Sequence, residues 1–364
     1  MSNRLKYIFV LLCFLVIAGR PALASGHGGD SENLNVKELI LDHIGDAYEW
    51  HILTWGETHV SVPLPVILFS EEKGFNIFSS AGFHHGASEH NGFYIAADGD
   101  YKGKIVEKNA SGEEVRPWDF SITKNALSLL INSFILVFII LTVAKWYKKN
   151  STKEDPKVPG GFIGFMEFFI MNVNDDIIKP CVGKNYKKFA PYLLTAFFFI
   201  FINNIMGLIP IFPGGANVTG NIAITLVLAI FTFVIVNVFG TKEYYREIFW
   251  PDVPTWLKVP IPIMPAIEIV GMFTKPFALM IRLFANILAG HSIVLGLVCL
   301  IFVTVQLGAV INTSMSVVSV LLTIFIDFVE ILVAYIQAYV FTMLSAVFIG
   351  LAQVEPHHSH AKEN

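Results

Sequence analysis

Residues 265–297 read PAIEIVGMFTKPFALMIRLFANILAGHSIVLGL, and this stretch decides the fold. It is too long and too uniformly apolar for an ordinary core helix, so it reads as a membrane helix. Yet Glu268, Lys275, Arg282, Asn286 and His291 are set among its Leu, Ile, Phe and Ala residues. An arginine at the centre of a membrane helix costs ~3 kcal/mol on insertion scales, and such residues normally face a bundle interior or a watery cavity. Arg282 is therefore a candidate working residue. At 100° per residue, Asn286 lies about 40° from Arg282, whereas His291 lies about 180° away. The helix shows two polar faces.

The remainder of the chain agrees with a membrane setting. Of its 364 residues 54% are hydrophobic and 15% charged, and the mean hydropathy is +0.60, above the balance of a soluble domain. The net charge of -4 and the absence of a basic stripe or zinc-finger spacing exclude nucleic acid as a partner. Apolar segments occur at about 125–144, 189–212, 221–239, 261–306 and 317–352. The fold class is thus an all-α polytopic membrane protein with about five membrane helices. Pro276 to Gln306 amounts to about 45 Å of helix and Ser316 to Gly350 to about 52 Å, against a hydrocarbon core of ~30 Å. Neither has room for two spans and a turn. Two long, strongly tilted, antiparallel helices follow.

The last of these segments contains IFIDFVEILVAYIQAYVF, residues 324–341, with Asp327, Glu330 and Gln337. Glu330 and Gln337 are seven apart and nearly in register on one face. Two readings fit the polar set: a structural ion pair between Arg282 and Glu330, or a proton path. The second accounts better for a titratable histidine, two amides and further acids in one place. Arg282 stays protonated at any relevant pH and cannot relay a proton, so it acts as a fixed positive barrier. His291 and Glu330 can exchange protons.

Ahead of the membrane region, residues 1–24 carry Arg4 and Lys6, a short apolar core and Ala22-Leu23-Ala24, the pattern of a cleaved signal peptide. The alternative, a first membrane anchor, is disfavoured by the shortness of the apolar run. Residues 25–122 read as a small external N-terminal domain with some β-structure, from runs such as Val60 to Phe69, Gly92 to Ala96 and Lys102 to Val106. Its His43, His51, His59, His84, His85 and His90 have no ligand spacing, so solvated or aromatic-packed histidines are expected and no metal. Cys13, Cys181 and Cys299 are too far apart for a metal cluster and read as packing residues.

Charge sets the orientation of the membrane domain, residues 123–354. Lys145, Lys148, Lys149, Lys153, Lys157, Lys179, Lys184, Lys187 and Lys188 flank one side, with Lys242, Arg246 and Lys258. The loops 213–220 and 307–316 carry no charge. The lysine-rich side is expected to be cytoplasmic, with the N-terminus outside and the tail, residues 355–364, inside. Gly161 to Met171 is apolar but short, and is expected to be an in-plane amphipathic helix.

Arg-Leu-Phe-Ala-Asn at 282–286, Ala-Gly-His at 289–291 and Tyr-Ile-Gln-Ala-Tyr at 335–339 resemble the a subunit of the F-type ATP synthase membrane sector. The resemblance takes in Glu268, Lys275-Pro276 and Asn204 to Pro210, about 230 residues from 125 onward, and leaves out the external domain. It implies that Arg282 is the family's essential arginine, facing a ring of c subunits whose carboxylates carry the ion. Asn286 and Gln337 match its polar neighbours. His291 and Glu330 match the outer half-channel positions, with residue types exchanged relative to some bacterial members, and Glu268 matches an inner half-channel acid. Asn204 falls among the matched residues of the second span. Gly207 stands where some members have Asp, and Gly271 where some have Ser. The implied protein is a non-catalytic stator subunit in a bacterial inner membrane. Its implied partners are the c-ring, the b-subunit stator stalk, the rest of the complex and the lipid bilayer, without a cofactor.

A secondary transporter would also carry midplane charges, but it predicts internal repeats and interrupted helices, and neither is visible here. A membrane-anchored sensor would not need charge so deep in its last helices.

Overall fold

The computed structural model describes residues 40, 45–55, 58–84, 86, 88–109, 112–150, 158–209, 212–249 and 263–353. The expected signal peptide, the C-terminal tail, His43, His85, Lys153, Lys157 and Lys258 lie outside the described residues. The chain divides into two compact units, Met1–Ser128 with Ile209–Ala216, and Leu129–Leu208 with Asn217–Asn364.

The first unit is built from short antiparallel strands. β1 (Glu49–Trp55) pairs with β2 (Thr58–Pro63). β3 (Pro65–Ser70) lies between β4 (Gly74–Ser79) and β8 (Trp118–Asp119), while β5 (Phe93–Ile95), β6 (Ile105–Lys108) and β7 (Glu114–Val115) form a third sheet. In β3 the alternation of Val66 and Leu68 with Ile67 and Phe69 turns the first pair inward. These two pack with Tyr48, Phe83, Phe93 and Ile105. The β3–β4 turn closes because the Ser70 hydroxyl accepts from the backbone N–H groups of Glu72 and Lys73, and Gly74 supplies φ 68°. The Tyr48 hydroxyl donates to Asp119 at 2.5 Å. Burial, and then that carboxylate, push its pKa above the ordinary 10.0. His90 packs on the Phe78 ring at 4.8 Å between centroids, as an aromatic-packed histidine should.

The second unit is helical. It contains α1 (Lys124–Asn150, from Leu129 on), α2 (Gly161–Asn172), a π-helical turn over Val173–Ile178, α3 (Lys179–Val182), α4 (Tyr186–Leu208), α5 (Ile222–Val238), α6 (Lys242–Phe249), α7 (Ile263–Val303) and α8 (Ala309–Ala352). Among the described residues four helical runs are long and apolar enough to cross a bilayer: Lys124–Asn150, Gly161–Leu208, Met264–Leu307 and Ala309–Ala352. The pair α5 and α6, bent by 101°, adds a fifth when it is counted as one span.

α7 and α8 exceed the lengths read from sequence, at 41 and 44 residues, about 62 and 66 Å of helix at 1.5 Å per residue. Pro276 is inside α7 rather than at its start; prolines are tolerated in membrane helices where neighbours satisfy the freed backbone groups. The uncharged stretch expected as a loop at 307–316 is mostly helix. Its polar residues bond within the structure: Thr313 and Ser314 donate to the carbonyls of Ala309 and Val310, and Thr304 donates to Asn312 Oδ1 at 2.9 Å. Gly308, at φ 100°, alone separates the two helical runs.

α2 covers the stretch expected as an in-plane helix, and its side chains contact α4 and α8. Phe169 stacks on Phe201 and meets Tyr335 edge-on, Tyr335 donates to Asn172 Oδ1 at 3.1 Å, and a Cβ on Gly350 would meet the Cys181 carbonyl. Asn132 Nδ2 of α1 donates to Asn203 Oδ1 of α4 at 3.0 Å. Large buried side chains of α4, among them Leu193, Phe197 and Ile200, fill the core between these helices.

Candidate functional site

α7 and α8 pack antiparallel, and three side-chain contacts fix their register. Asn286 Nδ2 donates to Gln337 Oε1 at 2.7 Å. Gly290 lies against Glu330, where a Cβ would stand 2.4 Å from the carboxylate Oε1. Ser319 donates to the Leu297 carbonyl. Glu330 and Gln337 are buried, at 9% and 3% exposure, in a helix otherwise dominated by apolar side chains. Glu330 Oε1 and Gln337 Nε2 are buried without a hydrogen-bond partner. Unsatisfied polar atoms of this kind are costly and call for a functional account.

Arg282 sits on a different part of α7. Leu279 and Leu283 turn into the core, whereas Thr274, Ala278, Arg282, Ala285, Asn286 and Ala289 are exposed. Arg282 is thus a long cation on a strip of small residues. Beside it opens a recess of about 320 Å³ between Thr274, Lys275, Ala278 and Arg282 of α7 and Leu344 and Phe348 of α8. A smaller cavity, about 20 Å³, shares Lys275 and Phe348 and reaches Thr232, Asn237 and Tyr244.

Among the described residues no acid pairs with Arg282, so the structural ion pair with Glu330 is not formed. The register explains why. Glu330 meets α7 at Gly290, eight residues and about 12 Å along the helix from Arg282. His291 is half-buried on α7 next to Gly290. Glu268 is fourteen residues, about 21 Å, on the other side of Arg282, half-exposed and within electrostatic reach of Tyr244. Asn204 is buried on α4, where its Oδ1 accepts from Thr219 at 2.6 Å and its Nδ2 reaches the Ala334 carbonyl at 3.4 Å. The structure therefore brings Asn286 to Gln337, the Gly290–His291 turn to Glu330, and Asn204 to the backbone one turn from Gln337. It leaves Arg282 one helical turn from Asn286 but away from Glu330, and Glu268 farther along α7.

The family described as ATP synthase A chain matches residues 128–350 of this chain. The chain belongs to that family. It is 42% identical over 261 residues to ATP synthase subunit a 2 of Chlorobaculum tepidum, covering 69% of each chain. It is 41% identical over 248 residues to ATP synthase subunit a of Chlorobium phaeobacteroides, covering 66% of this chain and 68% of that one. With the relative from Anaeromyxobacter sp., also an ATP synthase subunit a, identity is 36% over 279 residues, 73% of this chain and 62% of that one. The family's members and the spans together make this a multi-pass membrane protein. A second match, to a domain of unknown function, covers residues 39–120.

Two features of the site were not legible beforehand. Gly290 reads as one half of a small-residue pair, and nothing in the sequence says that Glu330 lies on it. A polar chain inside the helical unit links Tyr192, Thr232 and Ser345, with Tyr192 OH 2.8 Å from Thr232 Oγ1 and Thr232 Oγ1 3.3 Å from Ser345 Oγ. Single hydroxyls in apolar runs hardly alter hydropathy, and their pairing needs α4, α5 and α8 in place.

Proposed function

We propose that this chain is the stator subunit of the ATP synthase membrane sector, providing two proton half-channels and the essential arginine that couples proton translocation to rotation of a c-ring. The observation that carries the reading is the position of Arg282 on α7, exposed on a strip of small residues, with Glu330 and His291 toward one end of the helix and Glu268 toward the other. Small residues let a partner helix approach closely in a membrane. A guanidinium there can hold a carboxylate delivered by another polypeptide in its ionised form, and it cannot pass a proton on.

In this scheme a proton enters from outside by way of His291 and Glu330 and passes to a ring carboxylate. After nearly a full turn it leaves on the cytoplasmic side past Glu268. Asn286 and Gln337 line the seam between the first group and Arg282, and Asn204 braces the helix that carries Glu330. Helices of about 62 and 66 Å are far longer than a ~30 Å hydrocarbon core, so α7 and α8 would lie steeply tilted and could follow a curved ring wall. The lysine-rich loops support a cytoplasmic position for that side, with the segment before α1 outside, in what this reading takes to be a bacterial inner membrane. The b-subunit stalk and the remaining ATP synthase subunits are the other partners. The domain limits that go with this reading are a signal peptide at 1–24, the external domain at 25–122, the membrane domain at 123–354 and a cytoplasmic tail.

The test is ATP-driven acidification of inverted membrane vesicles containing Arg282→Ala in the assembled complex. Loss of pumping with normal assembly supports the reading; robust pumping overturns it.

A further inference from the structure

The sheet β4–β3–β8 carries large apolar side chains on both faces. An antiparallel sheet that packs a core on one side normally shows polar side chains on the other. Here the core face carries Val66 and Leu68, paired across the strands with Phe78 and Asn76. The opposite face carries Ile67 paired with Ile77, and Phe69 paired with both Phe75 and Trp118. Phe120 extends the same face, its N–H bonded to the Ile67 carbonyl at 2.9 Å. Phe69 is 46% exposed, Phe75 63%, Ile77 62%, Trp118 66% and Phe120 62%. Five large apolar side chains, four of them aromatic, thus lie contiguous and open on one small sheet, without a charge among them. Soluble surfaces rarely carry such a patch without an occupant.

Position along the chain says what the occupant is. Phe120 is only four residues ahead of Lys124, the first residue of α1 and of a membrane span, so at most about 14 Å of extended chain separates them. The link is held by the Ile122 N–H on the Pro65 carbonyl and the Lys124 N–H on the Ala47 carbonyl, at 3.1 and 2.8 Å. Asp46 Oδ1 takes the Asn125 N–H at 3.0 Å. The apolar part of α1 begins just past Lys124 and Asn125, which fixes this end of the helix at the edge of the hydrocarbon. Tryptophan and other aromatic side chains are the ones that settle in that interfacial layer.

We infer that the Ile67–Phe69–Phe75–Ile77–Trp118–Phe120 face rests in the interfacial layer of the bilayer, on the side where α1 starts, and anchors the N-terminal domain flat on the lipid surface. The domain that matches a family of unknown function would thereby serve as a membrane-surface foot for the first span.

The test uses the full chain in nanodiscs, with Cys13, Cys181 and Cys299 replaced by Ser and an NBD probe placed at Phe75→Cys, Ile77→Cys or, as a control, Asp98→Cys, which is exposed in a turn outside the patch. Lipids carrying a doxyl group near the headgroup should quench the probes at 75 and 77 several-fold more than the probe at 98, and aqueous iodide should quench them several-fold less. Equal quenching of all three probes by iodide, with no lipid effect, overturns the inference. So does shielding from iodide without lipid quenching that arises only in the assembled ATP synthase, since a protein partner then covers the face.

Discussion

Gly290 and Glu330 touch across the α7–α8 seam so closely that a single added methyl would stand 2.4 Å from the carboxylate oxygen. A side chain at position 290 would therefore require the Glu330 carboxylate to move from where it lies. The lack of one lets the acid lie buried between the helices beside the turn that carries His291.

Gly290→Ala should push the Glu330 carboxylate aside without breaking the helix, since alanine is a better helix former than glycine. If Glu330 serves the proton path, misplacement on the scale of 1 Å should lower ATP-driven pumping by about ten- to a hundredfold while the complex still assembles. Pumping at the wild-type rate would show that the geometry of this contact does not matter.

His291 and Glu330 are proposed to share one proton path. Exchanging them, as His291→Glu with Glu330→His, should harm pumping less than the product of the two single changes. A double-mutant cycle on pumping rates measures the coupling, and strict additivity would separate the two residues functionally.

The Asn286–Gln337 bond satisfies a Gln337 oxygen that is otherwise buried. Asn286→Leu should leave that oxygen without a donor and cost about 1–3 kcal/mol of stability in detergent. Adding Gln337→Leu should recover part of the loss, because both polar groups are then gone. Thermal unfolding of the three variants decides it, and a double mutant as unstable as the sum of the singles would count against the bond.

Tyr48 has its pKa raised by burial and by Asp119. The folded state holds this proton more tightly than the unfolded one, so the contribution to stability is complete below the unfolded value near 10.0 and is lost as pH rises above it toward the folded value. Alkaline loosening of the β-unit, followed by hydrogen exchange in β3, should therefore set in above pH 10 in the native chain. In Tyr48→Phe that alkaline component should be absent, and the unit should exchange faster at neutral pH because the bond to Asp119 is gone.

Much of this was readable in advance because lipid imposes a strong and simple constraint. A long apolar run must be a helix when no water is available to its backbone, so the spans follow from hydropathy alone. The β-rich character of the first unit followed from alternation in runs such as Val60 to Phe69, although β1, β4, β7 and β8 were not among the runs singled out. Helix ends were less legible. Asn312, Thr313 and Ser314 look like a loop, yet each side chain finds a partner that allows the helix to run through them. The contacts of α2 were not legible either, since its short apolar sequence says nothing about the aromatic packing of Phe169 on Phe201 and Tyr335.

For the site itself, Arg282, Asn286, His291, Glu330 and Gln337 stood out by themselves, because a polar side chain in an apolar helix is expensive and must have a reason. Chain position alone also put Arg282 between Glu268 and His291. Which groups meet was settled by the tertiary structure, because register between two helices depends on packing over their whole length and not on any local signal. That register gives Gln337 to Asn286 and Glu330 to Gly290, about 12 Å along α7 from Arg282, the residue that sequence alone could have paired with that acid.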